Sequence, residues 1–316
     1  PFFVDNIDMF NTGFNMVHTR TLAAPDWGVR LTGKKGKNTF GAFTVRDSMT
    51  PLIFSGTDGA DNTTLSKQST GTVLRYKRDF GKSSAIGALV TDREGENYHN
   101  RLGGLDLRWR FTQKNQFIAR YYTTNTSYPS ATADEFDQKT GDFGGYFSNV
   151  YIGRDTDKYS LFSSMKEISP GFRADLGFMT QTGYRFRELG GSIRRQGAER
   201  WYTWLSLYAD YHEMNDWAGN LLDHSVSTYF NYNGPLQSWF GMAGHTGEER
   251  YDSRSFYLNS FECWGGFKPT GSVELNFNGR AGDSIDYDNN REGSILSYSQ
   301  GAEFYIGKRI SFFLDH

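Results

Sequence analysis

Apolar and polar residues alternate along most of this chain, and the stretch "GGLDLRWRFTQKNQFIARYY" (103–122) shows the pattern most plainly. Leu105, Leu107, Trp109 and Phe111 alternate with Asp106, Arg108 and Arg110. After "TQKN" the alternation resumes at Phe117, Ala119 and Tyr121. A period of two sends successive side chains to opposite faces of a strand, so one face is oily and the other ionic. The same pattern recurs in "WGVRLTGK" (27–34), "TFGAFTVR" (39–46), "TGTVLRYKR" (70–78) and "SAIGALVTD" (84–92). Later examples are "WYTWLSLYADYH" (201–212), "HSVSTYFNY" (224–232), "SVELNFNGR" (272–280), "LSYSQGAEFYIG" (296–307) and "RISFFL" (309–314). Several reach the ~9–11 residues that a tilted strand needs to cross a bilayer. No stretch sustains the 3.6-residue period of a helix.

The predicted connections alternate in length. Short ones fall at 34–38, 79–83, 112–115, 153–157, 196–200, 233–235, 268–271 and 307–308. Long polar ones fall at 47–69, 94–100, 125–141, 167–183, 214–219, 246–253 and 282–293. Short periplasmic turns and longer external loops are the signature of an outer-membrane barrel. A soluble two-sheet sandwich predicts the alternation within strands but not this rhythm. Strand 27–34 runs toward a short turn, so "MFNTGFNMVHTR" (9–20) is expected to supply the strand before it. The count is then about 17 strands, and because single-chain bacterial barrels favour even numbers, roughly 18 or more are expected, with a further strand beyond His316. The expected fold is all-β: a transmembrane, antiparallel, up-and-down β-barrel over 9–316, incomplete at its C-terminus, after a periplasmic lead-in segment over 1–8.

The cost of charge in lipid sets the sidedness. An Arg or Lys facing the bilayer midplane costs ~2–4 kcal/mol, so the ionic face must turn inward. The lumen-lining candidates are Arg75, Lys77, Asp106, Arg108, Arg110, Arg120, Tyr122, Tyr208, Asp210, Glu274 and Arg280. The inward arginines have two readings. They select anionic or sugar-like solutes, with Tyr122, Tyr202, Trp204 and Tyr208 as stacking surfaces, or they pair with Asp106, Asp210 and Glu274 and fill the lumen. Trp109, Trp201, Trp204, Trp239 and Trp264 lie near short turns, where an indole would sit at the headgroup level of a membrane.

Composition changes the picture little. Mean hydropathy is −0.62, and no apolar run approaches the ~20 residues of a transmembrane helix. A barrel needs apolar residues only at alternate positions. The 316 residues include 16% aromatics, 36 Gly and 7 Pro, which favours strands and tight turns. A net charge of −2 gives no basic footprint for nucleic acid. Cys263 is the single cysteine, so no internal disulfide forms. The chain starts at Pro1 without a signal peptide, and is expected to derive from a longer precursor.

Four segments in order resemble an uncharacterised bacterial outer-membrane barrel family, common in Bacteroidetes and relatives. "PFFVDNIDMF" resembles its opening motif and "GVRLTGKKGKNTFGAFTVRD" its first hairpin. "GTVLRYKRDFGKSSAIGALVTDREGENYHNRLGGLDLRWRF" resembles its next strands, and "ISPGFRADLGFMTQTGYR" its long-loop segment. The resemblance runs from Pro1 to about Arg194 and is looser beyond. It implies an outer-membrane barrel and, upstream, a periplasmic module resembling carbohydrate-binding family 9. It implies no catalytic residues.

Motifs for chemistry are sparse. GxSxG, HExxH, phosphate-loop and CxxC patterns are absent, and no cofactor is expected. A rim hydrolase would draw on His245 or His99, near predicted external loops. "DYDNNREG" (286–293) places Asp286, Asp288 and Asn290 with calcium-loop spacing, but Arg291 replaces the required glycine and Ser297 the closing glutamate, so a solvated hairpin loop is favoured. The acidic tips "TDGADN" (57–62) and "DEFDQKTGD" (134–142) are weaker candidates for divalent ions held with lipopolysaccharide. The expected function is a channel or translocation component for polar solutes, such as glycan fragments. The alternative is a non-conducting anchor or scaffold for a periplasmic module or for other outer-membrane or surface proteins. Outer-membrane lipid and lipopolysaccharide are the expected surroundings, and Pro1–Asn11 and loop 167–183 the candidate plug.

Overall fold

A computed structural model describes residues 7–197, 201–252, 254–307 and 310–316, with side chains from Met9 onward. The strands are β1 (Pro25–Lys35), β2 (Asn38–Asp47), β3 (Thr50–Ser55), β4 (Ala60–Leu65), β5 (Ser69–Phe80), β6 (Ser84–Gly95), β7 (Tyr98–Trp109) and β8 (Asn115–Ser127). A short helix, α1 (Ser130–Glu135), precedes β9 (Phe143–Asp155), β10 (Tyr159–Ile168), β11 (Tyr184–Gln196), β12 (Trp204–Asp216) and β13 (Leu221–Asn233). The last are β14 (Trp239–Tyr251), β15 (Arg254–Thr270), β16 (Val273–Asp286), β17 (Arg291–Ile306) and β18 (Ile310–Asp315). Sixteen of them form one antiparallel sheet whose order follows the chain from β1 to β18, without closing on itself. The other two, β3 and β4, pair as a separate hairpin.

Three expectations need correction. Residues 9–20 are not a strand. They run from a 3-10 turn at Ile7–Phe10, through irregular chain, to another at Thr19–Thr21. Asn11 Oδ1 accepts the Gly13 N–H at 2.6 Å, and Gly13 has φ +85°, so the chain turns instead of extending. Without that strand, the odd count that argued for another beyond His316 falls away. The region 47–69 is not wholly loop, because it holds β3 and β4. The long connections expected at 246–253 and 282–293 are mostly strand, since β14 reaches Tyr251, β15 starts at Arg254, and only a 3-10 turn at Tyr287–Asn289 separates β16 from β17. The short–long rhythm therefore does not extend to this end of the chain.

The chain divides into two compact units. The first comprises 1–152, 164–186 and 216–219, and the second 153–163, 187–215 and 220–316. In the first unit, Val29, Leu31, Leu74, Val90 and Leu105 stand exposed on one face of their strands. On the other face Val45, Val73 and Leu89 are fully buried, covered by Met9–Leu22 and by the loop after β10. The hairpin β3–β4 and α1 add a small cluster of Leu52, Phe54, Tyr98, Tyr128, Ala133 and Phe143. In the second unit Leu189, Leu207, Val226 and Leu296 are exposed on one face. The opposite face carries Tyr208, Asp210, Ser227, His245 and Glu262, placed side by side by the β12–β13, β13–β14 and β14–β15 registers.

Candidate functional site

The first unit is built around buried charge. Arg75 on β5 reaches over Gly87 on β6 to Asp106 on β7, where its guanidinium forms a two-point ion pair that includes a 2.9 Å Nη2–Oδ1 bond. A Cβ at Gly87 would lie 2.6 Å from that guanidinium, so the glycine makes room for the pair. Tyr122 is fully buried and donates its hydroxyl to Asp106 at 3.2 Å. Arg120 donates to the Thr12 carbonyl at 2.6 Å and to Asn149 Oδ1 at 2.7 Å, and it lies over the Phe14 ring. Lys77 is 3.9 Å from Asp79, and Arg108 and Arg110 are exposed.

Sequence reasoning missed the centre of this unit. Arg93, on β6, is wholly buried. Its guanidinium donates to three backbone carbonyls from separate segments: Pro51 at 2.9 Å, Asp175 at 3.1 Å and Thr21 at 3.3 Å. Its charge is balanced by Asp47, 3.9 Å away and also fully buried. Asp47 in turn accepts the Ala23 and Ala24 N–H groups at 2.8 and 2.7 Å. Asp175 accepts the Tyr98 hydroxyl at 2.8 Å and the Tyr128 hydroxyl at 3.2 Å. Burial pushes the Asp175 carboxyl above its ordinary range, against the pull of those hydroxyls and of Arg93 and Arg173. The same desolvation raises the Tyr128 phenol. Two backbone bonds, His18 N–H to Leu176 O at 2.7 Å and Phe178 N–H to Asn15 O at 2.8 Å, tie the inner segment to the loop over 169–183. Together they cover the buried face of this unit. Of the expected plug residues Pro1–Asn11, Pro1–Asn6 lie outside the described residues.

The polar face of the second unit is more open. Tyr208 is half-buried, 6.5 Å from Phe162 and 5.7 Å from Tyr229 between ring centres, and Asp210 is half-buried beside it. Arg280 pairs with Glu262 at 3.1 Å, and Lys268 with Glu274 at 2.9 Å. His245 Nδ1 lies 3.0 Å from Ser227 Oγ. His212 bonds Asp223 through Nε2, while its Nδ1 is 3.4 Å from Ser225 Oγ, longer than the about 2.6–3.2 Å of an engaged nucleophile and base. In the first unit His99 bonds Asn125 Oδ1 at 2.7 Å. These histidines therefore do not meet in one place.

The turn-proximal tryptophans do not form one outward set. Trp109 shares the exposed face of Leu105. Trp201 is 68% exposed in a bend before β12. Trp204, Trp239 and Trp264 stand instead on the polar face: Trp204 shares parity with Ser206 and Tyr208, Trp239 packs over Gly266, and Trp264 over Gly241. Strand parity, rather than proximity to a turn, decides that side. Of the calcium-loop candidates, Asp286 is engaged by Asn289 and by Arg291 at 2.8 Å, so Arg291 occupies the carboxylate that a cation would need. Among the described residues no group of three or more His, Cys, Asp or Glu side chains could hold a metal ion.

No family model and no curated protein matches this chain. Among solved structures it is similar to the crystal structure of Acinetobacter baumannii OccAB4, with a TM-score of 0.40 and 7% identity over 89% of this chain and 87% of that one. A likeness of that degree assigns no function.

Proposed function

We propose that the chain is an outer-membrane β-barrel protein acting as a channel or translocation component for polar solutes, with glycan fragments as a candidate class in keeping with the upstream carbohydrate-binding module that the family resemblance implies. The observation that carries this reading is the division of the second unit into two faces. Leu189, Leu207, Val226 and Leu296 are exposed on one, while the other is a polar wall that holds the Lys268–Glu274 and Arg280–Glu262 ion pairs. Water alone gives no reason to expose so much apolar strand surface, whereas acyl chains do. A periplasmic carbohydrate-binding module in the same precursor would deliver the solute to the polar wall.

A specific observation favours a second reading, a non-conducting anchor or scaffold. The inner side of the first unit is filled, and the latch of Arg93, Asp47 and Asp175 leaves it no evident path for solute. Planar-bilayer recording with the full-length protein separates the two. The channel reading expects discrete, reproducible open levels. A silent bilayer containing demonstrably inserted protein replaces it with the scaffold.

A further inference from the structure

The apolar face of the second unit has a groove that runs into a cationic end. A depression of about 1040 Å³ lies across β10, β11 and β12, with Leu161, Ile193 and Leu207 as ridges and Gly191 and Ala209 between them. All three ridge residues are more than half exposed. Gly191 forms part of the floor because a Cβ there would lie 2.6 Å from the Ser160 carbonyl oxygen, so the strand can carry no side chain at that point. Along β11 the same face reads Leu189, Gly191, Ile193 and then Arg195. The groove thus passes from hydrocarbon to guanidinium on one side of one strand. Lys158 and Asp157, in the turn before β10, line the same end, which with Arg195 sets two outward cations against one carboxylate.

Arg195 and Lys158 are both exposed, and neither has an acidic partner within ion-pair distance among the described residues. Their neighbour Arg194 differs, because it points to the other face and pairs with Asp155. Two aromatics stand at this end. Trp201 is largely exposed, and Tyr159 is exposed with its hydroxyl accepting a 2.8 Å bond from Arg154. An amphipathic ring with a wet polar tip belongs at headgroup level. Two cations that outnumber the one carboxylate at the end of an apolar groove call for an anion, and the anion must carry a hydrocarbon tail to fill the rest of the groove.

We propose that this groove is a binding site for an anionic phospholipid, with one acyl chain laid over Gly191 and Ala209 and the phosphate held by Lys158 and Arg195. The inference rests on the membrane-embedded reading above. Short turns of such barrels face the periplasm, so the lipid comes from the inner leaflet of the outer membrane. Cations at this depth attract anionic headgroups and lose that preference as salt rises.

The test uses the full-length protein in phosphatidylcholine bilayers doped with spin-labelled phosphatidylglycerol or spin-labelled phosphatidylcholine. Wild type is expected to immobilise the anionic label at least threefold more than the zwitterionic one. The double variant Lys158→Gln/Arg195→Gln, which changes only exposed side chains, is expected to bring that ratio close to one. Ala209→Phe, which fills the floor, is expected to lower immobilisation of both labels. Equal immobilisation by wild type, or undiminished selectivity in the double variant, overturns the site. Vesicle flotation is measured first: protein that does not float with the vesicles overturns the membrane reading itself, and protein that floats without selectivity overturns the groove alone.

Discussion

At the scale of single residues, Arg93 and Asp175 carry the most consequence. Arg93→Met removes a buried cation from Asp47 and leaves three carbonyls without their donor. Breaking a buried pair from one side costs about 3–5 kcal/mol. The variant is expected to show a correspondingly lower denaturant midpoint in detergent, with earlier protease cleavage within 9–24. Asp175 makes a prediction about pH. Its carboxyl lies above its ordinary value of 3.8 because it is buried. The folded state therefore binds this proton more tightly than the unfolded chain does. The sign follows: native stability from this group is highest in acid and declines as pH rises from about the ordinary carboxylate range through the raised value. Asp175→Asn removes that dependence, so the gap in unfolding midpoint between wild type and variant is expected to change between pH 4 and pH 7, in the direction that favours wild type in acid. A constant gap would contradict it. Sequence shows part of this chemistry and hides the rest. The Arg75–Asp106 pair is legible because alternation puts both on one face of nearby strands. Arg93 is not, since its partners are mostly backbone carbonyls brought from up to 82 positions away.

At the scale of elements, the loop over 169–183 packs directly against β9. Gly171 and β9 approach so closely that a Cβ at Gly145 would sit 2.2 Å from the Phe172 nitrogen, and one at Gly171 2.3 Å from the Gly144 oxygen. Neither backbone can retreat cheaply, because Tyr146 N–H donates to Ser169 Oγ at 2.7 Å and Ser169 N–H to the Tyr146 carbonyl at 2.9 Å. Gly145→Val is expected to lift the loop, exposing 169–183 to protease and shortening the lifetime of the folded state on heating. A variant as resistant as wild type would mean that the loop packs against β9 loosely. Elements of this kind separate what alternation reveals from what it cannot. Strands such as β5 to β8 follow the pattern because one face is exposed and apolar over its middle, at Leu74, Ile86, Val90, Leu105 and Tyr121, and turns ionic only toward one end, where Arg101 pairs with Asp92 and Glu94. The segment 9–20 carries apolar residues at strand-like density, yet Phe10 seats over Gly41 and against Phe43, and its backbone bonds go to the loop. Only tertiary contact distinguishes that from a strand.

At the scale of the whole molecule, one pair of substitutions decides which solvent meets the apolar face. Leu189 lies near the middle of β11 and is 61% exposed. Ser299 lies on the opposite, polar face of β17, in register with Asn278. In an aqueous protein an exposed leucine changed to arginine shifts stability by only about 0.5 kcal/mol either way. In a bilayer the same change near the midplane costs ~2–4 kcal/mol. Leu189→Arg is therefore expected to lower the urea midpoint for folding into phosphatidylcholine vesicles by that amount, while Ser299→Arg stays within about 0.5 kcal/mol of wild type. The contrast between the faces carries the test, because general damage would lower both. If Leu189→Arg folds as well as wild type and remains monodisperse without detergent, the exposed leucines face water, and both the channel and the lipid groove lose their foundation.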